Sequence, residues 1–250
     1  MAAIARRRGN EVLFSPHNLF ARYGGARAQR HIENACRAAS TVVVYNEPDT
    51  RFLDQRGIEW RELPLVQYAP VPDEAVMDYW RRFARDQTVQ VCAIGQIRAD
   101  KNYSLLIKAC ADAGLGLLIA GESVGEEASK LRGEIVKGQN VHIIDSYIDL
   151  DTLVAIACCV GTVALPYEVA SQSGVAALLA RYGLQIVVAD IGGLAAQGTR
   201  VVGAQTAAAW GQALVESARL AVRTRNEPLP TDAHTYETYN ALILESWARL

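Results

Sequence analysis

The chain has 250 residues, half of them hydrophobic and 21% charged, so it can bury a sizeable core and is not a disordered polymer. Twenty-five Lys and Arg stand against 27 Asp and Glu, a net charge of -2, which is too balanced for a dedicated nucleic-acid binder. At about 150 residues per domain, the length suits one large domain or a domain plus a fragment.

The N-terminal stretch holds Arg6, Arg7, Arg8, Arg22, Arg27 and Arg30, a basic patch that would give at most weak, salt-sensitive attraction to an anionic membrane surface. Met1–Ile4 runs straight into those arginines, which is the wrong order for a secretory signal. The longest apolar stretches, Leu115–Ala120 and Leu153–Leu165, are interrupted or short of the roughly 20 residues of a membrane span. The five cysteines, Cys36, Cys92, Cys110, Cys158 and Cys159, include no C-x-x-C pair and read as small buried hydrophobes rather than zinc or disulfide ligands. A reducing, cytoplasmic setting fits that usage.

In chain order, the pattern predicts strand Glu11–Ser15, helix Ala26–Ala39, strand Thr41–Tyr45, helix Pro48–Arg56 and strand Glu59–Leu63. Pro64, Pro70 and Pro72 mark Leu63–Asp73 as an extended connector, followed by a helix over Asp73–Asp86. From Val89 onward one unit recurs, a short continuous apolar run and then a helix-length amphipathic segment. The predicted strands are Val89–Ile94, Leu115–Ala120, Val141–Ile144, Val160–Leu165, Ile186–Ala189 and Thr199–Val202. Unalternating runs of this kind belong to parallel sheets buried on both faces. Helices fall at Tyr103–Ala113, Gly125–Lys137, Leu150–Cys159, Ser173–Tyr182 and Thr206–Val222, with Asn102 as the cap of the first and Ser171 or Ser173 as that of the fourth. A final helix is expected through Tyr236, Tyr239, Leu242, Ile243 and Trp247.

Two loops carry chemistry. In "IGQIRADKN", Gly95 ends a strand and Arg98 and Lys101 follow before a helix, at the strand end where open α/β sheets bind ligands. In "LPYEVASQSGVAALLARYG", small polar residues lead into a helix start, where backbone N–H groups can face an anion.

These segments resemble, in order, the donor-binding lobe of GT-B glycosyltransferases of the retaining family-4 type. "IGQIRADKNYSLLIKA" is similar to the family's glycine-to-lysine loop and "LLIAGES" to its next strand. "NVHIIDSYIDLDTLVAIACCVGTVALPY" matches the base-side region, with Asn140–Tyr147 beside the base. "SQSGVAALLARYGLQIVVADIGGL" matches the phosphate helix and the strand after it. Upstream, "EVLFSPHNLFARYGG" looks like the strand that ends in a histidine at the interlobe cleft, and "TVVVYNEPD" like a later strand.

The resemblance implies an α/β, GT-B-like fold: a doubly wound Rossmann-type C-terminal lobe (73–225), an incomplete N-terminal α/β lobe on the acceptor side (1–72), and a C-terminal helix (226–250) packing back across the lobes. It implies sugar transfer from a nucleotide-diphosphate sugar to an unknown acceptor, with retention and with neither metal nor cofactor. His17 would face the sugar, and Arg98 and Lys101 would stabilise the leaving diphosphate. Gly95, Glu168, Ser171, Gln172, Ser173, Gly174, Val175, Gly192 and Gly193 would surround the donor. The alternative is a non-catalytic or subunit-type nucleotide-sugar-binding module of the same descent.

Three departures qualify the match. Gln96 stands where the family commonly has arginine, with Arg98 two residues on. Only Glu168 is available for the family's pair of glutamates. The first lobe begins near what would be a middle strand and lacks the usual glycine-rich loop, since Gly24 and Gly25 follow His17. A second copy or a partner chain is therefore expected to complete that lobe.

Overall fold

The computed structural model describes residues 12–16, 19, 25–63, 65 and 69–224. The predicted terminal helix over 226–250 lies outside them. The described chain forms two parallel sheets.

The first sheet has the order β1-β2-β3, from β1 (Leu13–Phe14), β2 (Thr41–Val44) and β3 (Trp60–Glu62), linked by α1 (Gly25–Ala38) and α2 (Glu47–Asp54). All three strands are shorter than the sequence predicts. Val42, Val44, Leu53 and Ile58 centre a small core between sheet and helices. The α2 helix starts where Asn46 caps it, its side chain accepting from Asp49 N–H at 3.0 Å, with Pro48 tolerated in the first turn because no intrahelical bond is lost there. Asp73 caps α3 (Glu74–Asp86) in the same manner, accepting from Ala75 N–H at 2.7 Å.

The second sheet has the order β6-β5-β4-β7-β8-β9: β4 (Val89–Ile94), β5 (Gly116–Gly121), β6 (Val141–Asp145), β7 (Thr162–Leu165), β8 (Gln185–Ala189) and β9 (Arg200–Val202). Its strands are apolar throughout because successive side chains enter two separate cores. Cys92 and Ile94 of β4, Leu118 and Ala120 of β5, and Ile186 and Val188 of β8 pack with α3, α6 (Leu150–Val160) and α7 (Gly174–Leu179). Val91 and Ala93, Leu117 and Ile119, and Val187 and Ala189 pack on the other face with α4 (Tyr103–Ala113), α5 (Glu127–Glu134) and α8 (Ala207–Thr224). A sheet with helices on both faces must bury both sets of alternate residues.

Several boundaries differ from expectation for local reasons. Val160 belongs to α6 rather than β7, because Gly161 at φ 79 takes the left-handed conformation that closes the helix. The helix predicted over Gly125–Lys137 shortens to α5, with Gly125 at φ 66 before it and Ile135 extended after it. Asn102 does not cap α4: it stands at φ 53, makes no side-chain cap bond, and its N–H closes the 3₁₀ turn Ala99–Lys101 by donating to Ala99 O at 3.0 Å. The helix predicted over Ser173–Tyr182 is α7 followed by a 3₁₀ turn over Ala180–Tyr182. A second unpredicted 3₁₀ segment, Gly192–Gln197, follows β8.

Trp210 on α8 is 0% exposed and is among the largest fully buried side chains. Trp210→Ala is expected to lower the unfolding free energy by about 3–5 kcal/mol, measured from the urea midpoint; a loss below 1 kcal/mol would mean that α8 is not part of the cooperative core.

Candidate functional site

The strand order reverses between β4 and β7: the chain steps outward through β5 and β6, then returns to the opposite side of β4. Loops that leave the carboxyl ends of those two adjacent strands diverge to opposite faces and open a crevice between them. The loop after β4 carries Gly95, Arg98 and Lys101, and the loop after β7 carries Tyr167 to Ser173.

Two contacts tie these loops together. Glu168 N–H donates to Asp100 O at 3.0 Å, while its side chain belongs to an exposed residue. Lys101 Nζ stands 3.3 Å from the centroid of the Tyr167 ring, a cation–π arrangement. Gly95, at φ 120, lies beside α7, so that a Cβ placed on it would be 3.7 Å from Val175 Cγ2. The structure thus brings Gly95, Arg98, Lys101, Glu168 and Val175 to one end of the sheet.

Arg98 is held by a residue that sequence reading passed over. Its Nε donates to Asp100 Oδ1 and its Nη2 to Asp100 Oδ2, both at 3.0 Å, and both side chains are largely buried. This bidentate pair fixes the plane of the guanidinium and offsets its charge. Nearby, Tyr103 is buried and its hydroxyl has no hydrogen-bond partner. Burial pushes the phenol well above its ordinary range, with Tyr167 adding to the shift and Arg98 opposing it, so the group keeps its proton and its donor capacity.

The small polar run is tightly built. Ser173 caps α7, its hydroxyl accepting from Ala176 N–H at 3.3 Å. Its own N–H donates to Gln197 Oε1 at 2.8 Å, and Gln197 Nε2 returns a bond to Ser173 O at 3.3 Å. The Ser173 amide is therefore engaged by protein, which corrects its place among the N–H groups expected to face an anion; these bonds do not involve the amides of Gly174 and Val175. Ser171 is buried, and Gln172 Oε1 is buried with no hydrogen-bond partner.

Gly192 and Gly193 serve close packing within the protein. A Cβ on Gly192 would lie 2.3 Å from Ala170 O, and one on Gly193 would lie 2.5 Å from Asn46 Cβ and 2.6 Å from Ser171 O. Gly193 N–H also donates to Ser171 O at 2.7 Å. The approach these glycines permit is thus to the 170–171 backbone and, through Asn46, to the first lobe.

His17 lies outside the described residues. Of the segment expected beside a base, Asp145 takes both Ser123 N–H and Ser123 Oγ at 2.9 Å, and Tyr147 is exposed at the carboxyl edge. Asn140 is at the opposite edge, donating to Gln87 O at 2.8 Å. Among the described residues no cluster of His, Cys, Asp or Glu could hold a metal ion, and no helix is long and apolar enough to cross a membrane. Hollows of about 440 Å³ beside Trp60 and about 500 Å³ between α4 and α8 lie away from the crevice.

Solved structures with the same architecture include sucrose-phosphate synthase from Thermosynechococcus elongatus, at 16% identity and a TM-score of 0.68, with 95% of this chain matching 67% of that one. The α,α-trehalose-phosphate synthase (UDP-forming) from Burkholderia xenovorans, at 12% identity and a TM-score of 0.67, matches 98% of this chain over 66% of its own. TarM follows at 12% identity and a TM-score of 0.65, covering 96% of this chain and 50% of its own. The fold is GT-B-like. At these identities the likeness is one of fold, and the chain spans about two thirds of the length of the two synthases. No family model matches the chain, and no curated protein matches it in sequence.

Within this GT-B arrangement the lobes meet at Gly193 and Asn46, where there is no room for a methyl group. Gly193→Ala is expected to cost about 1–3 kcal/mol by overpacking, seen as a lower urea midpoint. A midpoint equal to that of the native chain would show that the lobes part freely at this contact.

Proposed function

We infer that the chain is a glycosyltransferase that takes a sugar from a nucleotide-diphosphate sugar to an acceptor. The observation that carries this reading is the placing of Lys101 and the Arg98–Asp100 pair on the loop after β4, at the β4/β7 reversal, with Gly95 of the same loop beside Val175 of α7. A diphosphate presents several anionic oxygens, and a crevice with cations on one wall and helix-start amides on the other suits it. The GT-B-like fold supports the reading, as do neighbours named as sugar-phosphate synthases.

In the transfer, the bond from the anomeric carbon to the diphosphate oxygen breaks with its electron pair moving to that oxygen. The acceptor hydroxyl oxygen bonds to the same carbon, and its proton passes to the departing diphosphate. Lys101 and Arg98 would offset the charge that grows on the diphosphate. Gly174 and Val175 would supply amides, Gly95 would leave room for the phosphates, and the Glu168 carboxylate would accept from sugar or ribose hydroxyls. Retention of configuration, transfer without metal or cofactor and His17 at the sugar follow from the sequence resemblance, and a cytoplasmic setting from the cysteine usage; all belong to the same proposal.

Lys101→Ala is expected to weaken nucleoside diphosphate binding by about 1.5–3 kcal/mol, the range for a charge-assisted bond, while leaving nucleoside binding and the unfolding midpoint unchanged. Titration calorimetry against UDP, GDP and ADP and their nucleosides reads this directly. Equal losses for nucleoside and diphosphate would remove Lys101 from the phosphate site.

One observation favours a second reading, donor binding without transfer: Asp100 already offsets the charge of Arg98, which reduces what that cation can give a leaving group. Release of nucleoside diphosphate from a panel of donors and acceptors separates the two readings, since a binding module releases none. In both, the short first sheet is completed by a second copy or a partner chain. A second copy would give, in light scattering on the chain alone, a mass above that of one copy across dilution, and a partner chain would leave the chain alone inactive towards an acceptor; a monomer active towards an acceptor would refute both.

A further inference from the structure

We propose that Tyr167 is a positioning residue, whose ring face holds the Lys101 ammonium at the carboxyl edge between β4 and β7. The proposal rests on reading Lys101 as a diphosphate-binding residue and adds what fixes that cation in place.

A lysine head sits on four flexible carbons and occupies one position only when something holds it. Here both partners are anchored by their own backbones. Tyr167 follows β7 by two residues, is 2% exposed, and packs in the core that β7 shares with α6 and α7. Lys101 closes the 3₁₀ turn over Ala99–Lys101, its N–H donating to Arg98 O at 3.0 Å. The bond from Glu168 N–H to Asp100 O, one residue beyond Tyr167 on one loop and one residue before Lys101 on the other, locks the two loops in register. The ammonium is thereby set 3.3 Å from the ring centroid.

The arrangement has a chemical consequence. The negative face of an aromatic ring attracts a cation without neutralising it, whereas a carboxylate partner cancels its charge. The pair Lys101–Tyr167 therefore differs in kind from Arg98–Asp100 on the same loop. The ring contact itself therefore takes nothing from the charge that Lys101 would bring to an anionic oxygen. Tyr167 touches neither sugar nor phosphate in this scheme and acts through Lys101.

The test keeps the shape of the ring and changes its electrostatics. Tyr167→Phe and a series of ring-fluorinated phenylalanines at position 167 are compared by titration with whichever of UDP, GDP and ADP binds the native chain. Tyr167→Phe should bind within about twofold of native, and the trifluorinated ring about fivefold more weakly than Phe, as expected for loss of a cation–π contact. With Lys101→Ala in the background, fluorination should have no effect. Fluorine is close to hydrogen in size, so the unfolding midpoint should hold along the series; Tyr167→Leu, which lacks a π face, should match the trifluorinated ring in affinity. Unchanged affinity on fluorination with Lys101 present would overturn the proposal and leave the diphosphate site standing. If Lys101→Ala alone leaves diphosphate affinity intact, the site reading and the proposal fall together.

Discussion

Burial of the six-stranded sheet on both faces is the constraint from which the rest of the molecule follows. Each strand delivers alternate residues to two cores, so helices must cover both faces, and the chain can cover both only by reversing its direction of travel across the sheet once. That reversal falls between β4 and β7. The crevice is therefore a product of the winding, and its position was settled by the distribution of Val, Leu, Ile and Ala before any polar residue was placed in it.

Much of this was legible in the sequence because buried parallel strands have a strong signature. The runs Val89–Ile94 and Ile186–Ala189 hold no polar residue that would break them except Gln90, and both became strands with nearly the expected bounds. Some boundaries shifted where a glycine took a positive φ, as at Gly161, since a backbone conformation of that kind leaves no periodicity to read. Asn102 shows the same limit: the residue type suits a cap, yet its left-handed backbone turns the side chain away from that task.

In the crevice, sequence reading located the loops and missed what organises them. Asp100, Tyr167 and Gln197 escaped notice because each works through a partner distant in the chain or through local geometry: Gln197 reaches back to Ser173 across 24 residues, and Tyr167 meets Lys101 from another strand's loop. The Arg98–Asp100 pair had a local signal in the short "RAD" spacing, which permits a fork of two bonds inside one turn. Gly192 and Gly193 were read as residues around a donor; the contacts they make in the structure are with the 170–171 backbone and Asn46.

Asp100 performs two tasks with two separate groups. Its main-chain carbonyl receives Glu168 N–H and so holds the loops together, while its carboxylate receives Arg98. A change of side chain there alters the electric balance of the crevice and leaves the main-chain tie in place, since every residue type supplies the same carbonyl. Position and charge are thus independent variables at this point of the molecule, and a lineage carrying this loop could retune it towards more or less anionic ligands by single substitutions without rebuilding the scaffold.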